Sequence, residues 1–353
     1  MNDRPTMVVR ADAGPEVGGG HVMRTLALAA VLVSKNWKVR YAMRFGAETV
    51  ETKLRAENID LIRLPQHAAT DAAGFKAMFP GGADLILLDH YGIDIEFERN
   101  LAGWSGMLAA IDDGPGRRRH DVDLLIDFSP GITESAWRKF VVAKATILAG
   151  TRYALIRPEI ICQRKGRAAP SHANNDVRRV FISFGASDSR NATELALRCT
   201  RQALPNSEID IFMGLGSVHA DRIAELSKKC GARLHLDSPE YPKVLGSTDL
   251  AIGAGGVSAL ERAYLGIPSI VVTTAENQRH SVEALSAAGA VISAGDISTV
   301  NEKALASQIK TLAGDPALRA VMSTAGTALI DGNGTNRVVD HIIDLARKSK
   351  VAS

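Results

Sequence analysis

A histidine follows three consecutive glycines near the start of the chain, in the run Gly18-Gly19-Gly20-His21. An apolar segment that predicts a strand precedes this run, and a segment with helical periodicity follows it. Glycines let a backbone pass close to a ligand, and the positive end of a helix dipole favours a neutral imidazole. His21 is therefore a candidate general base, with Gly20 beside it at the substrate. A plain turn between strand and helix, with a packing histidine, is the alternative.

A second glycine-rich loop lies in the C-terminal half, between a predicted strand and a predicted helix. Backbone N–H groups and the helix dipole then point at one spot, an arrangement that binds phosphate without a metal ion. Glu261 lies about one turn into the helix, where its carboxylate would accept hydrogen bonds from both hydroxyls of a ribose. The glycine spacing matches neither the dinucleotide fingerprint nor the Walker loop, and a tight turn with a solvent-facing glutamate is the alternative. The residues predicted to bind the nucleotide here are Gly253, Gly255, Gly256, Ser258 and Glu261.

Three more polar loops follow predicted strands: Asp89–Gly92, Ser183–Asp188 and Glu276–Gln278. In the first loop, Asp89, His90 and Tyr91 together would position a sugar or tune His21, unless the loop is only a buried, hydrogen-bonded cluster. In the second, Gly185 and Ser187 would admit a diphosphate, unless the loop only caps a helix. In the third, Asn277 and Gln278 suit contacts to a sugar or pyrophosphate, unless they form an ordinary polar loop.

Two adjacent carboxylates, Asp112 and Asp113, also end a predicted strand. Paired carboxylates suggest a metal ion or an acid–base pair, but neighbours in an extended segment point to opposite sides. We therefore expect one of the two to be structural, and we predict neither a metal site nor a cofactor. The run Arg117–His120 just after them predicts a solvated turn. The three cysteines have no paired spacing, so neither a disulfide framework nor a zinc site is expected.

Apolar segments alternate with amphipathic segments along the chain, which predicts βαβ units and mostly parallel sheets. A length of 353 residues is too great for one core, so two domains are expected. The polar segment 163–176, which contains Pro170, predicts a linker between domains at 1–162 and 177–353. The predicted fold class is α/β, with two doubly wound, Rossmann-like domains facing a central cleft that holds the ligand.

Composition limits the classes of partner. Hydrophobic residues make up 46% of the chain, charged residues 23%, and the formal net charge is +3. This balance is that of a globular protein, and the small positive excess does not predict a nucleic-acid or membrane partner. No signal peptide and no apolar run of membrane-spanning length is evident, so the expected location is cytoplasmic. The sequence does not indicate which oligomeric state the protein has.

Five motifs in order give the sequence a resemblance to a known family. They are Gly20–Arg24, Asp89–Gly92, Tyr153–Glu159, Gly253–Gly256 and Glu276–Gln278. The sequence resembles the UDP-2,4-diacetamido-2,4,6-trideoxy-β-L-altropyranose hydrolases of pseudaminic acid biosynthesis, from about Val8 to about Gly289. The resemblance implies the GT-B fold, shared with the glycosyltransferase that makes lipid II. It also implies metal-independent hydrolysis with inversion, in which the histidine at the position of His21 activates water.

The resemblance further implies where the substrate binds. The family's uridine diphosphate site corresponds to the Gly253–Gly256 loop and Glu261, and its sugar contacts correspond to Tyr91, Arg157 and Asn277. The segments Phe128–Gly131 and Phe184–Asp188 depart from the family pattern, which leaves the particular sugar open. Two alternatives also stay open: a GT-B glycosyltransferase with a UDP-sugar donor, and a non-catalytic nucleotide-sugar binding protein.

Overall fold

The computed structural model describes residues 4–14, 19–46, 48–166 and 176–352. Gly18 of the first glycine run lies outside the described residues, and so do positions 167–175 of the predicted linker. The remaining linker residues before that gap are not a loop, because 163–166 form the end of a helix.

The chain divides into two compact units, Met1–Arg157 with Asn333–Ser353, and Pro158–Gly332. The predicted boundaries at 162 and 177 differ from this division in two places. The helix that begins at Pro158 belongs to the second unit, and the last helix of the chain returns to the first. The physical reason for the return is burial, because Val338, Val339 and Ile342 of that last helix are fully buried.

The first unit contains a seven-stranded parallel sheet, within the described residues, in the order β3-β2-β1-β4-β5-β6-β7. Its elements are β1 (Thr6–Ala11), α1 (Gly20–Ser34), β2 (Lys38–Met43), α2 (Glu48–Ala56), β3 (Asp60–Arg63), α3 (Ala72–Met78), β4 (Leu85–Asp89), α4 (Ile95–Leu101), β5 (Leu108–Ile111), β6 (Leu124–Asp127), α5 (Glu134–Trp137) and β7 (Thr146–Ala149).

The second unit contains a six-stranded parallel sheet, over the same described part of the chain, in the order β10-β9-β8-β11-β12-β13. Its elements are α6 (Pro158–Gly166), β8 (Arg179–Ser183), α7 (Ala192–Ala203), β9 (Glu208–Met213), α8 (Ala220–Cys230), β10 (Arg233–Leu236), α9 (Tyr241–Gly246), β11 (Leu250–Ala254), α10 (Val257–Tyr264), β12 (Ser269–Thr273), α11 (Arg279–Ala287), β13 (Ile292–Asp296), α12 (Glu302–Gly314) and α13 (Pro316–Leu329). The last helix, α14 (Gly334–Ala352), packs against α1 in the first unit.

Helices cover both faces of each sheet, which explains why the central strands are buried at every position rather than at alternate ones. In β4, every residue from Leu85 to Asp89 is buried, and β11 and β12 are buried over their whole lengths. The α/β architecture with two Rossmann-like units is therefore confirmed.

Each sheet has one place where the order of its strands reverses, between β1 and β4 in the first unit and between β8 and β11 in the second. Loops leave such a reversal point in opposite directions, and the crevice between them is where α/β sheets bind ligands. Ala11 pairs with Asp89 at the first reversal point, and Ser183 pairs with Gly253 at the second. The predicted site loops therefore leave the two sheets at their reversal points.

A buried polar network fixes the loop after β5. The His120 side chain, 1% exposed, contacts Glu98 through Nδ1 at 2.7 Å and Asp112 through Nε2 at 2.9 Å. Arg118 donates to Asp112 at 3.1 Å and to the carbonyl oxygen of His90 at 2.7 Å. The predicted solvated turn is therefore wrong at these two positions, because the network draws both side chains inward.

The charge state of His120 follows from its two acidic partners. Burial lowers its pKa, but the hydrogen bonds and charges of Asp112 and Glu98 outweigh burial and raise the pKa to about 9. A folded-state pKa above the unfolded one stabilises the protein fully below the unfolded pKa, and that stabilisation is lost as pH rises through the folded pKa. The unfolded pKa of histidine is about 6.5.

We expect His120→Gln to lose part of the pH dependence of stability on the alkaline side. In the natural protein the free energy of unfolding should fall between about pH 6.5 and pH 9 as His120 loses its proton. Urea unfolding of both proteins over that range measures the two slopes. The variant should be less stable at pH 6.5 and show a shallower decline; parallel curves would contradict the charged form of His120.

Candidate functional site

A histidine–aspartate pair lies at the reversal point of the first sheet. His21 is the second residue of α1, and Asp89 is the last residue of β4. The Nδ1 atom of His21 lies 2.7 Å from Oδ1 of Asp89, with the His21 side chain 11% exposed and the Asp89 side chain fully buried. The sequence indicated both residues separately, and the tertiary structure brings them into contact.

Arg24 holds the carboxylate of this pair. It lies one helical turn after His21 and donates from Nε to Oδ2 and from Nη2 to Oδ1 of Asp89, both at 2.6 Å. Burial alone would raise the pKa of Asp89, but the positive charge of Arg24 and the contact with His21 hold it well below its ordinary value. Asp89 is therefore a carboxylate at neutral pH, and it only accepts hydrogen bonds.

This carboxylate fixes the tautomer of His21. Because Asp89 accepts, Nδ1 of His21 carries the hydrogen, and the lone pair is on Nε2. Arg24 Nη2 also lies 3.2 Å from Nδ1, but the contact of Nδ1 with the carboxylate is shorter, at 2.7 Å, and a carboxylate oxygen there requires a donor. Among the described residues, no hydrogen-bond partner reaches Nε2. In this tautomer His21 presents Nε2 with an open lone pair, which is what a general base requires.

Tyr91 and Asp113 complete this cluster. The Tyr91 ring meets the His21 ring edge-on, with centroids 4.7 Å apart, and 40% of the residue is exposed. Its hydroxyl donates to Asp113, which also accepts from Arg24 Nη1 at 2.6 Å. Asp112 lies on the other side of the backbone, in the His120 network. The prediction that the two adjacent carboxylates point in different directions is confirmed, and Asp112 is the structural one.

The glycine-rich loop after β11 leads into α10 without a cap. Gly256 is the N-cap residue, no side chain caps the helix, and the first turn contains no acidic residue. Within the described ranges, no acceptor contacts the backbone N–H groups of Gly256, Val257 or Ser258. Uncapped N–H groups and the positive end of the dipole together form an anion-binding site.

Two glycines of this loop are required by packing. A Cβ atom on Gly253 would collide with the carbonyl oxygen of Ser183 in β8, and one on Gly255 would collide with Val282 in α11. Gly256 is different, because a Cβ there would meet only the Gln278 amide nitrogen at 4.0 Å. Gly253 and Gly255 therefore let the backbone pack closely against β8 and α11, whereas Gly256 has open space beside it.

Glu261 is not a solvent-facing residue. It is 2% exposed, and the Tyr241 hydroxyl donates to its Oε2 atom at 3.3 Å. A glutamate that is nearly buried in α10, just after the open N–H groups, has the position predicted for a carboxylate that binds ribose hydroxyls. The interpretation of this residue as an exposed surface glutamate is wrong.

In the loop after β8, an aspartate of the loop itself caps the helix that follows. The buried Asp188 accepts from the backbone N–H groups of Ala192 and Thr193, each at 2.9 Å. The N-terminus of α7 is therefore already capped, as one interpretation of the loop predicted. Gly185 adopts a φ of +88°, and the backbone carbonyl of Ser187 accepts from Ser217 at 2.7 Å. Of the two helix N-termini at this reversal point, only that of α10 is open in the described structure.

The remaining predicted contacts lie at the ends of other elements. Gln278 ends a 3-10 turn after β12, and its Oε1 accepts from the backbone N–H groups of Gly255 at 3.2 Å and Thr274 at 3.1 Å. Asn277 precedes it and is half-buried. Arg157, half-buried, is the last residue of the first segment of the first unit, and Gly20 is the exposed first residue of α1.

Two arginines of these loops were missed as functional candidates. Arg24 is three residues after His21, a spacing that puts both on one face of α1, so a helical pattern was the available signal. Arg262 follows Glu261 and has no such signal, because only the fold shows that its side chain is fully buried.

The described residues offer neither a metal-binding cluster nor a membrane-spanning helix. No group of three or more histidine, cysteine, aspartate or glutamate residues there has the arrangement to hold a metal ion. No helix in the described ranges has the length and apolar character needed to cross a membrane.

Comparisons with known proteins give distant relatives along the chain. No family model matches. The spore coat polysaccharide biosynthesis protein SpsG of Bacillus subtilis is 24% identical over 340 residues, which are 95% of this chain and 97% of that protein. The UDP-2,4-diacetamido-2,4,6-trideoxy-beta-L-altropyranose hydrolase of Campylobacter jejuni is 22% identical over 251 residues, or 70% of this chain and 83% of that protein.

A solved structure gives the fold. The calicheamicin glycosyltransferase CalG4 superposes with a TM-score of 0.64 at 14% sequence identity, over 98% of this chain and 99% of that one. Together with the two parallel sheets and their strand orders, this likeness identifies the architecture: the chain has the GT-B fold.

Proposed function

We propose that this chain is an enzyme that binds a UDP-sugar and breaks the bond between the anomeric carbon and the diphosphate. The observation that carries the proposal is the pair of His21 and Asp89, in which a buried carboxylate fixes the tautomer and leaves Nε2 open. A histidine that only packs in a turn needs neither feature. A non-catalytic binding protein would not require this pair either.

The nucleotide is assigned to the second unit. The N–H groups of Gly256, Val257 and Ser258 would donate to the diphosphate, and Glu261 would accept from the ribose hydroxyls. Gly253 and Gly255 keep the loop close to the sheet, and the neighbouring loop with Gly185 and Ser187 would border the phosphates. Uracil as the base is supported by the name of the Campylobacter relative, which acts on a UDP-sugar.

In the proposed reaction His21 takes a proton from an attacking hydroxyl group. The oxygen of that group forms a bond to the anomeric carbon, and the bond from this carbon to the diphosphate oxygen breaks, so its electron pair leaves with UDP. Asp89 stabilises the imidazolium that forms, and the N–H groups of α10 offset the charge growing on the diphosphate. Attack opposite the leaving group inverts the anomeric carbon. Gly20, Tyr91, Arg157, Asn277 and Gln278 are the proposed sugar contacts.

The attacking hydroxyl belongs either to an acceptor molecule or to water. Transfer to an acceptor is our first candidate, supported by the glycosyltransferase with the same fold. Hydrolysis is the second candidate, supported by the Campylobacter relative. The His21–Asp89 pair serves both equally well, because it removes a proton from any hydroxyl that reaches Nε2. The relation to a spore coat polysaccharide protein fits either one.

One assay tests the proposed function and separates its two forms. Purified protein is incubated with a panel of UDP-sugars in oxygen-18 water, with and without sugar acceptors, and the products are analysed by mass spectrometry. UDP released without acceptor, with label in the sugar, would establish hydrolysis. UDP released only with acceptor would establish transfer. Label in UDP would contradict attack at carbon, and UDP bound but never released would reduce the protein to a binding role.

We predict that His21→Ala lowers turnover by about two to four orders of magnitude, the range for a lost general base. The Kd for UDP should stay within about twofold, since His21 lies in the other unit from the proposed nucleotide site. Steady-state kinetics and calorimetric titration measure the two effects. His67→Ala, which changes an exposed histidine of the same unit, is the matched control and should change neither. A comparable loss of UDP binding in His21→Ala would contradict its assignment as base.

We predict that Glu261→Gln weakens UDP binding about tenfold or more, because a hydrogen bond to a charged group contributes about 1.5–3 kcal/mol. The same substitution should weaken binding of 2′-deoxy-UDP less, since that ligand lacks one of the two hydroxyls. The ratio of the two Kd values is the measurement. An equal loss for both ligands would show that Glu261 acts on the loop and not on the ribose.

A further inference from the structure

A fully buried arginine lies beneath the open N-terminus of α10. Arg262 is 0% exposed, and its Nη2 donates to the carbonyl oxygen of Ala254 at 2.8 Å. Its Nη1 lies 3.2 Å from the Ser258 hydroxyl oxygen, and its Nε has no hydrogen-bond partner in the described structure. The guanidinium thus spans the glycine-rich loop from below, between the end of β11 and the first turn of the helix.

Arg262 has no carboxylate at ion-pair distance among the described residues, whereas the buried Arg10 and Arg24 do. Asp89 and Asp113 contact Arg24, and Asp12 contacts Arg10 at 2.8 Å. A buried charge without a counter-charge is costly in free energy. Burial lowers the pKa of Arg262, and the more distant Tyr241 and Glu261 oppose that shift.

The position of the Arg262 charge, near the N-terminus of α10, makes its burial more costly in free energy. The side chains of a helix tilt toward its N-terminus, and the guanidinium of Arg262 accordingly lies beside Ser258 and Ala254. A cation there adds to the positive end of the helix dipole, whereas one at the C-terminus would offset the negative end. Arg319 illustrates the second case, since it donates to the carbonyl oxygen of Leu312 at 2.9 Å, near the end of α12.

We infer that Arg262 is the built-in counter-charge for the diphosphate of the bound nucleotide. It acts through the loop without touching the ligand. Its charge raises the positive potential at the N–H groups of Gly256, Val257 and Ser258, and its bond to Ala254 keeps the loop in the conformation that directs those groups outward. This makes Arg262 a positioning residue with an electrostatic role. The inference deepens the proposed function and rests on its assignment of the nucleotide to this unit.

The inference predicts opposite effects of one substitution on binding and on stability. Arg262→Met removes a buried charge that the ligand-free protein does not compensate, so the Tm of the free protein should not fall and is expected to rise. The same change should weaken binding of UDP and of inorganic pyrophosphate about tenfold or more. Binding of uridine, which has no phosphate, should stay within about twofold. A residue that only supports the loop would lower stability and affect all three ligands together.

The experiment uses the full chain as the natural protein and as Arg262→Met, Arg262→Lys and Arg319→Met variants. Calorimetry with UDP and pyrophosphate, an NMR titration with uridine, and thermal unfolding without ligand are measured for each. Arg262→Lys keeps the charge and should recover part of the preference for UDP over uridine. Arg319→Met removes a buried cation of the same unit, away from the loop, so it should lower the Tm and leave that preference unchanged.

The outcomes separate this inference from the proposed function. If Arg262→Met loses uridine and UDP binding by the same factor, or loses stability as Arg319→Met does, Arg262 is structural and the inference is overturned. If the natural protein binds pyrophosphate but not UDP, the nucleotide assignment fails, and the pyrophosphate data alone decide the role of Arg262. If it binds neither at millimolar concentration, both fail.

Discussion

A parallel sheet that is covered on both faces constrains where this protein can place chemistry. All strands run in one direction, so their carboxyl ends, and the loops that follow them, lie along one edge. At the strand-order reversal the neighbouring loops diverge and leave backbone groups uncovered. In the first unit this edge carries His21 and Asp89, and in the second it carries the loop before α10. Every other feature of the two candidate sites depends on that edge.

Arg24 in the first unit and Arg262 in the second differ in whether carboxylates compensate their buried charge. In the first unit Arg24 is fully compensated, since Asp89 takes two of its hydrogen bonds and Asp113 a third. That compensation keeps Asp89 ionised and therefore keeps the tautomer of His21 fixed. In the second unit, among the described residues, Arg262 has a carbonyl oxygen and a hydroxyl oxygen as its partners. In the proposed function, the compensated charge orients the base His21, and the uncompensated charge favours an anion.

The acidic residues of the second unit also differ between its two helix N-termini: one N-terminus is compensated by an acid and the other is not. Asp188 neutralises the N-terminus of α7 with two hydrogen bonds to backbone N–H groups. The first turn of α10 contains no acid, and Glu261 comes one turn later, where it accepts from the Tyr241 hydroxyl. A protein whose loops served only to connect elements would gain stability from a cap at both helices. The absence of a cap at α10, in the described structure, is the feature on which the proposed phosphate site depends.

The sequence by itself determined the elements and the loops. Continuous apolar runs such as Leu85–Leu88 predicted buried parallel strands, and the glycines before α1 and α10 predicted close turns, because these patterns depend on local burial and backbone freedom. The sequence also placed His21, Tyr91 and Glu261 at such loops. A local sequence pattern does not show which residues of neighbouring strands lie close together. The sequence therefore left open whether each polar residue contacts a ligand or caps a helix.

The tertiary structure decided those alternatives. Strand order brought Asp89 to His21 across 68 positions of sequence, and it gave Asp112 to His120 and Asp113 to Arg24, which decided which of the two carboxylates is structural. It also returned α14 to the first unit, because a break in a helical pattern does not show which domain the next helix joins. Arg262 is the clearest case, since an arginine after a glutamate in a helix is ordinarily solvated. Only packing on all sides makes its charge buried and unmatched, because burial is a property of the whole fold and not of the neighbouring residues.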